Sequence, residues 1–185
     1  MDTCETDKRL HRCCFTGHRP EKIGIPERKI KQLLTCAADK AIKDGYTTFI
    51  TGMARGVDLW AGEIVLQRKK TCTEIRLICA TPYPGFEVGW KQVWRELYAS
   101  VSKQADYRVA ISSGYHRNCF KKRNEWMVDH SSRVIAVYNG QPGGTRNTIL
   151  YAKGRGFYVN DLLRCFPEAD GSVETGKILE LQAIL

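Results

Sequence analysis

Apolar segments that fit β-strands alternate with helical patterns along almost the whole chain. Strands are predicted at 10–16, 46–51, 75–80, 107–111, 133–138 and 157–159. The segments between them carry apolar residues at the three- and four-residue spacing of amphipathic helices. This alternation is typical of βαβ units, in which parallel strands are covered by helices on both faces. The sequence therefore predicts an α/β fold with a mostly parallel central sheet.

The length and composition indicate a single globular domain. The chain has 185 residues, of which 43% are hydrophobic and 26% charged, as in ordinary folded proteins and unlike disordered or collagenous ones. We expect one domain over 1–185, with its core at 10–161 and a terminal amphipathic helix at 173–185. No apolar run approaches the roughly 20 residues of a membrane-spanning helix.

The N-terminal sequence and the cysteines predict a cytoplasmic protein with reduced thiols. The first residues lack the basic and apolar segments of a secretory signal. Eight cysteines are too few for a disulfide scaffold of this length. Cys4, His11, Cys13 and Cys14 lie close enough in sequence to raise the question of a metal site. Their spacing lacks a CxxC pair, and adjacent strand residues point to opposite faces, so we expect no metal.

The net charge of +9 is unevenly distributed. Residues 103–155 contain ten Lys or Arg against three Asp or Glu, a difference of +7. Such a basic segment fits an anionic partner, which could be nucleic acid or a phosphate-bearing small molecule. It also fits a merely solubilising surface, and charge alone does not separate these interpretations.

Three glycine-bearing turns follow predicted strands, at 17–20, 51–58 and 143–145. In an open parallel sheet, ligands bind outside the carboxyl ends of the strands. Glycine there allows close approach of a phosphate to the backbone N–H groups of the next helix. None of the turns is the GxGxxG fingerprint or the GxxxxGK[ST] phosphate loop, which disfavours NAD dehydrogenases and P-loop NTPases. The turns therefore indicate a nucleotide that is bound in a mode other than those of these two motifs.

These motifs resemble the SLOG superfamily, which groups the DNA-processing Smf/DprA proteins with the LOG cytokinin-activating hydrolases, and within it the YpsA-like branch. The resemblance rests on residues 14–20, 51–61, 123–129 and 136–145 and extends over about 10–161. It implies a Rossmann-like three-layer sandwich that binds a nucleotide or a nucleotide-derived ligand such as ADP-ribose. It also implies a homodimer in many members, and we expect no further cofactor to be required.

The resemblance leaves enzymatic activity open. Arg123 falls on the arginine of the LOG enzymes and Asn124 replaces their lysine, but residues 145–151 contain no carboxylate where the catalytic glutamate should be. Cleavage of an N-glycosidic bond calls for a carboxylate that stabilises charge or positions water. Asp58 and Asp129 are the candidate substitutes, which makes them, with Arg123, the candidate catalytic residues.

The predicted ligand-binding residues lie in the three turns and at the start of the motif that begins with Arg123. They are Gly17, His18, Arg19, Gly52, Met53, Ala54, Gly56, Asp58, Arg123, Asn124, Gly143, Gly144 and Thr145. Two of these residues, and the neighbouring Trp60, have structural alternatives. Asp58 could interact with its own helix dipole, Arg123 could belong to a solvated charged face, and Trp60 fits core packing better than base stacking.

Three functions are compatible with these residues. The leading hypothesis is a sensor or regulator that binds a nucleotide-derived small molecule. The second is a LOG-type phosphoribohydrolase acting on nucleoside monophosphates. The third is DprA-type binding of single-stranded DNA, indicated by the basic 103–155 segment and by Tyr115, Phe120 and Trp126. We expect a small-molecule partner and a homo-oligomer, rank nucleic acid lower, and expect no membrane partner.

Overall fold

The computed structural model describes residues 3–164, with side chains from residue 5 onward. The predicted helix at 173–185 lies outside the described residues. The elements in this part of the chain are α1 (Thr3–Leu10), β1 (Arg12–Gly17), α2 (Pro20–Ile23), α3 (Glu27–Lys43), β2 (Thr48–Thr51), α4 (Val57–Lys69), β3 (Arg76–Thr81), α5 (Gln92–Gln104), β4 (Tyr107–Ala110), α6 (Cys119–Asp129), β5 (Arg133–Val137), α7 (Gly144–Gly154) and β6 (Tyr158–Asp161).

The six strands form one sheet in the order β4-β3-β2-β1-β5-β6, and every neighbouring pair is parallel. The chain builds the sheet outward from β1 to β4 and then returns to place β5 on the other side of β1. In the register of the central strands, Phe15 of β1 lies opposite Ile135 of β5. This topology confirms the predicted α/β, Rossmann-like fold.

Helices cover both faces of the sheet. On one face α3, α4 and α5 pack against a core that includes Cys13 and Phe49, while on the other α6 and α7 pack against a core that includes Cys14 and Ile50. Cys13 and Cys14 are adjacent in β1 and enter opposite cores, as the two-residue period of a strand requires. The molecule is therefore a three-layer sandwich in its described part.

The cysteine-rich N-terminal region contains no metal-binding arrangement in what the structure describes. Cys13 and Cys14 are fully buried in separate cores, and His11 Nδ1 lies 3.1 Å from the backbone oxygen of Gly45. No group of three or more His, Cys, Asp or Glu side chains within this range is placed to hold a metal ion. A search of the same residues finds no helix that is long and apolar enough to cross a bilayer.

Two elements differ from the sequence expectations. Leu10 was expected to begin the first strand, but it is the last residue of α1, and β1 begins at Arg12. Leu10 is more than half exposed, so its apolar side chain belongs to a surface helix and not to the sheet. The 17–20 turn was expected to be a simple loop, yet Pro20 starts the short helix α2, as its fixed φ angle favours at a first helical position.

The tryptophan of α4, Trp60, packs between helices. Trp60 is almost fully buried, and its ring centroid lies 6.0 Å from that of Trp94 on α5. Aromatic pairs at this separation stabilise the contact between helices. The structural interpretation of Trp60 is therefore confirmed.

Candidate ligand-binding site at the carboxyl ends of the strands

The loops after β1 and β5 leave neighbouring strands toward opposite faces of the sheet. The chain after β1 continues into α3 on one face, and the chain after β5 continues into α7 on the other. A divergence of this kind opens a crevice, and open α/β sheets bind their ligands in such crevices. A pocket of about 250 Å³ lies at this place.

The pocket brings together most of the predicted ligand-binding residues. Its lining comprises Thr16, Gly17, His18, Arg19, Lys22, Ala54, Asp58, Phe120, Arg123, Asn124, Gly143, Gly144 and Thr145. Gly52, Met53 and Gly56 were also predicted but do not line it. The turns after β1, β2 and β5 therefore meet at one edge of the sheet, as the parallel arrangement predicts.

The N-terminus of α7 opens onto this pocket. Gly143 is the N-cap residue, and no described side chain caps the helix. The first N–H groups of an α-helix have no partner within the helix, and they lie at the positive end of its dipole. Because Gly143, Gly144 and Thr145 line the pocket, these N–H groups are available to a bound anion.

His18 places an unsatisfied polar atom in the pocket wall. Its side chain is 5% exposed, its ring stacks on Tyr138 with centroids 5.5 Å apart, and Nε2 has no hydrogen-bond partner among the described residues. A Cβ atom added to Gly143 would lie 3.9 Å from His18 Cε1, so the ring edge faces the start of α7. Burial, aided by the charge of Lys22, lowers the pKa of His18. The neutral imidazole is therefore favoured in the folded protein.

Arg123 and Asp58 form a buried ion pair in the wall of the pocket. Arg123 Nη1 donates to Asp58 Oδ2 at 3.1 Å and to the backbone oxygen of Gly52. Asp58 Oδ2 also accepts the N–H of Ala54 at 3.2 Å. The two side chains are 6% and 8% exposed. The pair therefore joins α6 to the start of α4 and to the turn that precedes it.

Burial opposes the charge on both partners of this pair. Burial raises the pKa of Asp58, while the adjacent Arg123 guanidinium lowers it and offsets part of that effect. Burial likewise lowers the pKa of Arg123, and the Asp58 carboxylate opposes this change. Arginine remains protonated in proteins, so Asp58 supplies its counter-charge. A carboxylate held in this way is not a free general base.

Gly52 allows the ion pair to approach the backbone. A Cβ atom at this position would lie 1.5 Å from Arg123 Nη1 and 2.6 Å from Asp58 Oδ2. Met53 follows with a φ of 60° and a fully buried side chain, and Gly56 has a φ of 88°. Gly52 therefore makes room for the ion pair in the pocket wall, whereas Met53 and Gly56 belong to the same turn and do not line the pocket.

Asp129, the other candidate catalytic carboxylate, lies outside the pocket lining. Its two carboxylate oxygens each accept the Tyr151 hydroxyl at 3.0 Å, and Oδ1 lies 3.1 Å from Arg155 Nη2. Asp58 is thus the one carboxylate among the lining residues that the structure describes.

The predicted ligand-binding residues did not include three members of the pocket lining, namely Thr16, Lys22 and Phe120, although Phe120 was named as an aromatic residue for DNA binding. Two of them carried a usable signal. Lys22 lies three residues after Arg19 across α2, and Phe120 lies three residues before Arg123 on α6, which is the spacing of side chains on one helix face. Thr16 ends the buried part of β1 and gave no separate signal.

The fold and the pocket define a Rossmann-like α/β protein with a candidate binding site at the topological switch point of its sheet. Residues 13–155 match the family model described as the YspA SLOG family, that of YpsA. The chain belongs to this family, which confirms the predicted YpsA-like branch of the SLOG superfamily.

Curated relatives match most of the chain, and a solved structure shares its fold. The chain is 29% identical over 154 residues to UPF0398 proteins from Bacillus thuringiensis (strain Al Hakam) and Bacillus cereus (strain AH187), covering 78% of this chain and 84% of each relative. A solved structure of DNA processing protein A from Helicobacter pylori, described for its single-stranded DNA binding mode, has the same fold. The comparison gives a TM-score of 0.59 at 19% identity and covers 98% of this chain and 76% of that one.

Proposed function

We propose that the protein binds a phosphate-bearing, nucleotide-derived ligand in the pocket at the switch point, and that it acts as a sensor or regulator. The observation that carries the proposal is the buried, unpartnered Nε2 of His18 beside the uncapped N-terminus of α7. An unsatisfied buried polar atom carries a desolvation penalty unless a ligand or water pairs with it. A bound phosphate or ribose oxygen would relieve that penalty.

The charges around the pocket favour an anion. Arg19 and Lys22 are exposed lining residues, and the one lining carboxylate, Asp58, is neutralised by Arg123. A phosphate at the N-terminus of α7 would therefore contact helix N–H groups and the exposed side chains of Arg19 and Lys22. It would face no unpaired negative charge. This arrangement supports binding of a phosphate.

Binding is favoured over LOG-type hydrolysis by the way Asp58 is held. Its Oδ2 atom accepts hydrogen bonds from both Arg123 and the Ala54 backbone. Hydrolysis would need a carboxylate that is free to stabilise an oxocarbenium-like state or to activate water. Incubation with nucleoside monophosphates is expected to release no free base above a buffer control, and base release would support the hydrolase instead.

Isothermal titration calorimetry tests the proposal. The panel comprises the nucleoside mono- and diphosphates, NAD and ADP-ribose, and we expect saturable binding of at least one member. His18→Ala should weaken that binding, because it removes the unsatisfied polar atom of a residue that lines the pocket. The matched control is His130→Ala, which changes a histidine that stacks on Trp126 and does not line the pocket. No binding by a folded sample, or equal effects of the two variants, would refute the proposal.

Single-stranded DNA binding is a second candidate function. The structure described for single-stranded DNA binding by the Helicobacter pylori protein shares this fold, and the 103–155 segment has an excess of seven positive charges. Affinity for an oligonucleotide would then fall linearly with salt on logarithmic scales, because phosphate contacts release counterions. A fluorescence anisotropy titration that shows no binding at low salt would exclude this candidate.

A further inference from the structure

A line of aromatic rings extends from the pocket to the surface above β3 and β4. Phe120 lines the pocket, and its ring centroid lies 6.1 Å from that of Tyr83 in an edge-on contact. The Tyr83 centroid lies 5.8 Å from that of Tyr115, again edge-on. Tyr83 follows β3 and Tyr115 follows β4, so all three rings lie at the carboxyl ends of the strands, on the same edge as the pocket.

Tyr115 differs from the other aromatic residues around it. The rings of Phe86, Trp90 and Tyr98 pack against one another and join the main core. Tyr115, by contrast, is 73% exposed, and its ring meets that of Tyr83 edge-on. An exposed aromatic ring with accessible faces is a surface on which a planar base can stack.

The loop that carries Tyr115 is held in place on both sides. Ser112 donates its backbone N–H to the oxygen of Pro82 at 3.0 Å, and its hydroxyl lies 2.9 Å from His116 Nε2. The Asn118 N–H donates to His116 Nδ1 at 3.3 Å. Tyr115 therefore lies in a loop that these hydrogen bonds hold in place, so the loop needs little further ordering when a ligand binds.

From this arrangement we infer that Tyr115 is a base-stacking residue, and that the ligand carries a nucleobase at the end opposite its phosphate. The inference rests on the proposed function, since it places the phosphate at the N-terminus of α7. The base then leaves the pocket past Phe120 and lies against the exposed face of Tyr115. The ligand class is accordingly a nucleotide with an intact base, and a sugar phosphate alone would bind more weakly.

The experiment compares ligands with and without a base. Calorimetry is carried out with the four common nucleoside monophosphates, with ADP-ribose and with ribose 5-phosphate, on the full chain and on Tyr115→Ala and Tyr115→Phe. Stacking of a base on an aromatic side chain contributes enough that Tyr115→Ala should weaken the best nucleotide about 5- to 150-fold. Ribose 5-phosphate affinity should stay unchanged in that variant. Tyr115→Phe retains the ring and should bind the nucleotide within about twofold of the natural chain.

The possible failures are distinguishable. If ribose 5-phosphate and nucleotides both bind but Tyr115→Ala leaves nucleotide affinity unchanged, the stacking role is wrong and the phosphate pocket stands. The same conclusion follows if ribose 5-phosphate binds as tightly as every nucleotide. If none of these ligands binds to the folded natural chain, the proposed function fails, and the stacking inference fails with it.

Discussion

The guanidinium of Arg123 lies 3.1 Å from the carboxylate of Asp58, and each side chain is less than a tenth exposed. Both residues were candidates for ligand binding and for catalysis. The structure joins them to each other and to the backbone oxygen of Gly52, so their mutual contact shapes the wall of the pocket. The pair holds α6 against the start of α4, and in the proposed function the phosphate is contacted by other groups, at His18, the exposed cations and the N-terminus of α7.

Removing Arg123 should destabilise the fold. The Arg123→Met variant leaves Asp58 buried without its counter-charge, which costs about 3–5 kcal/mol of unfolding free energy. Adding Asp58→Asn should recover part of this loss, because the unpaired charge is then gone. Urea denaturation followed by circular dichroism measures both effects.

The control for this prediction lies on the same helix. Lys121 is mostly exposed and pairs with Glu125 one turn away, at 3.6 Å. Such surface pairs contribute about 0–1 kcal/mol, so Lys121→Ala should change the unfolding midpoint little. An Arg123→Met variant as stable as Lys121→Ala would contradict the expected penalty for leaving Asp58 buried without a counter-charge.

Substitution of Gly52 should displace the same ion pair. A Cβ atom in Gly52→Ala would lie 1.5 Å from Arg123 Nη1, so the guanidinium must move, and overpacking of this kind costs about 1–3 kcal/mol. Gly89→Ala is the matched control, because its Cβ would meet no described atom within 4 Å. Thermal unfolding of the two variants should differ by several degrees. Equal melting temperatures would contradict the close packing at Gly52.

The spacing of apolar residues predicted much of the fold, because a helix or strand with one buried face repeats apolar residues at its own period. The strands lie close to their predicted positions, and the longer helices lie between them as expected. The three glycine turns meet at one end of the sheet because parallel strands all end there. The helix α1 was missed, since its eight residues are mostly polar and show no apolar stripe for a period analysis to detect.

The role of Arg123 was harder to predict. Its place in the basic run at 121–123 suggested a solvated face, yet Cys119, Arg123 and Met127 recur every four residues and are all buried. That spacing was a readable signal of a buried face. The partner could not be found in the same way, because Asp58 is 65 residues away and meets Arg123 only through the tertiary fold.

The buried state of His18 predicts a pH-dependent stability. Its pKa is lowered in the folded protein by burial, so the unfolded chain binds more protons near the ordinary pKa of His. The contribution of His18 to the free energy of unfolding should therefore be fully present above about pH 6.5. It should be lost as the pH falls through the lowered pKa of the folded protein. Melting temperatures measured from pH 5 to pH 8 should show this decline.

A variant isolates the His18 contribution from that of the carboxylates. His18→Gln keeps a polar side chain that does not titrate, so its melting temperature should vary less with pH between 5 and 7 than that of the natural chain. The His130→Gln variant alters a histidine that hydrogen-bonds to the Trp126 backbone oxygen at 2.8 Å and should retain the full contribution of His18. If the melting temperatures of the natural chain and of His18→Gln vary with pH in parallel, burial does not lower the pKa of His18.

The N-terminus of α7 allows stability and binding to be separated by one substitution. Gly144 is exposed, lines the pocket and is the first residue of the helix, and an added Cβ would make an ordinary 3.8 Å contact with Asn124 Nδ2. In Gly144→Asp, a carboxylate at the positive end of the dipole should stabilise the helix by about 0.3–1 kcal/mol. The same carboxylate would repel a phosphate bound there.

The neutral variant Gly144→Asn makes this prediction specific to charge. Asn has nearly the shape of Asp and removes the same glycine, so any difference between the two variants comes from the carboxylate. We expect Gly144→Asp to melt higher than Gly144→Asn and to bind the phosphate-bearing ligand about tenfold or more weakly, since one close like charge readily exceeds 1.4 kcal/mol. Calorimetry and thermal unfolding measure the two quantities. Equal ligand affinity in both variants would place the phosphate away from α7. An anion bound to these N–H groups would be repelled by a carboxylate on the first turn of the helix.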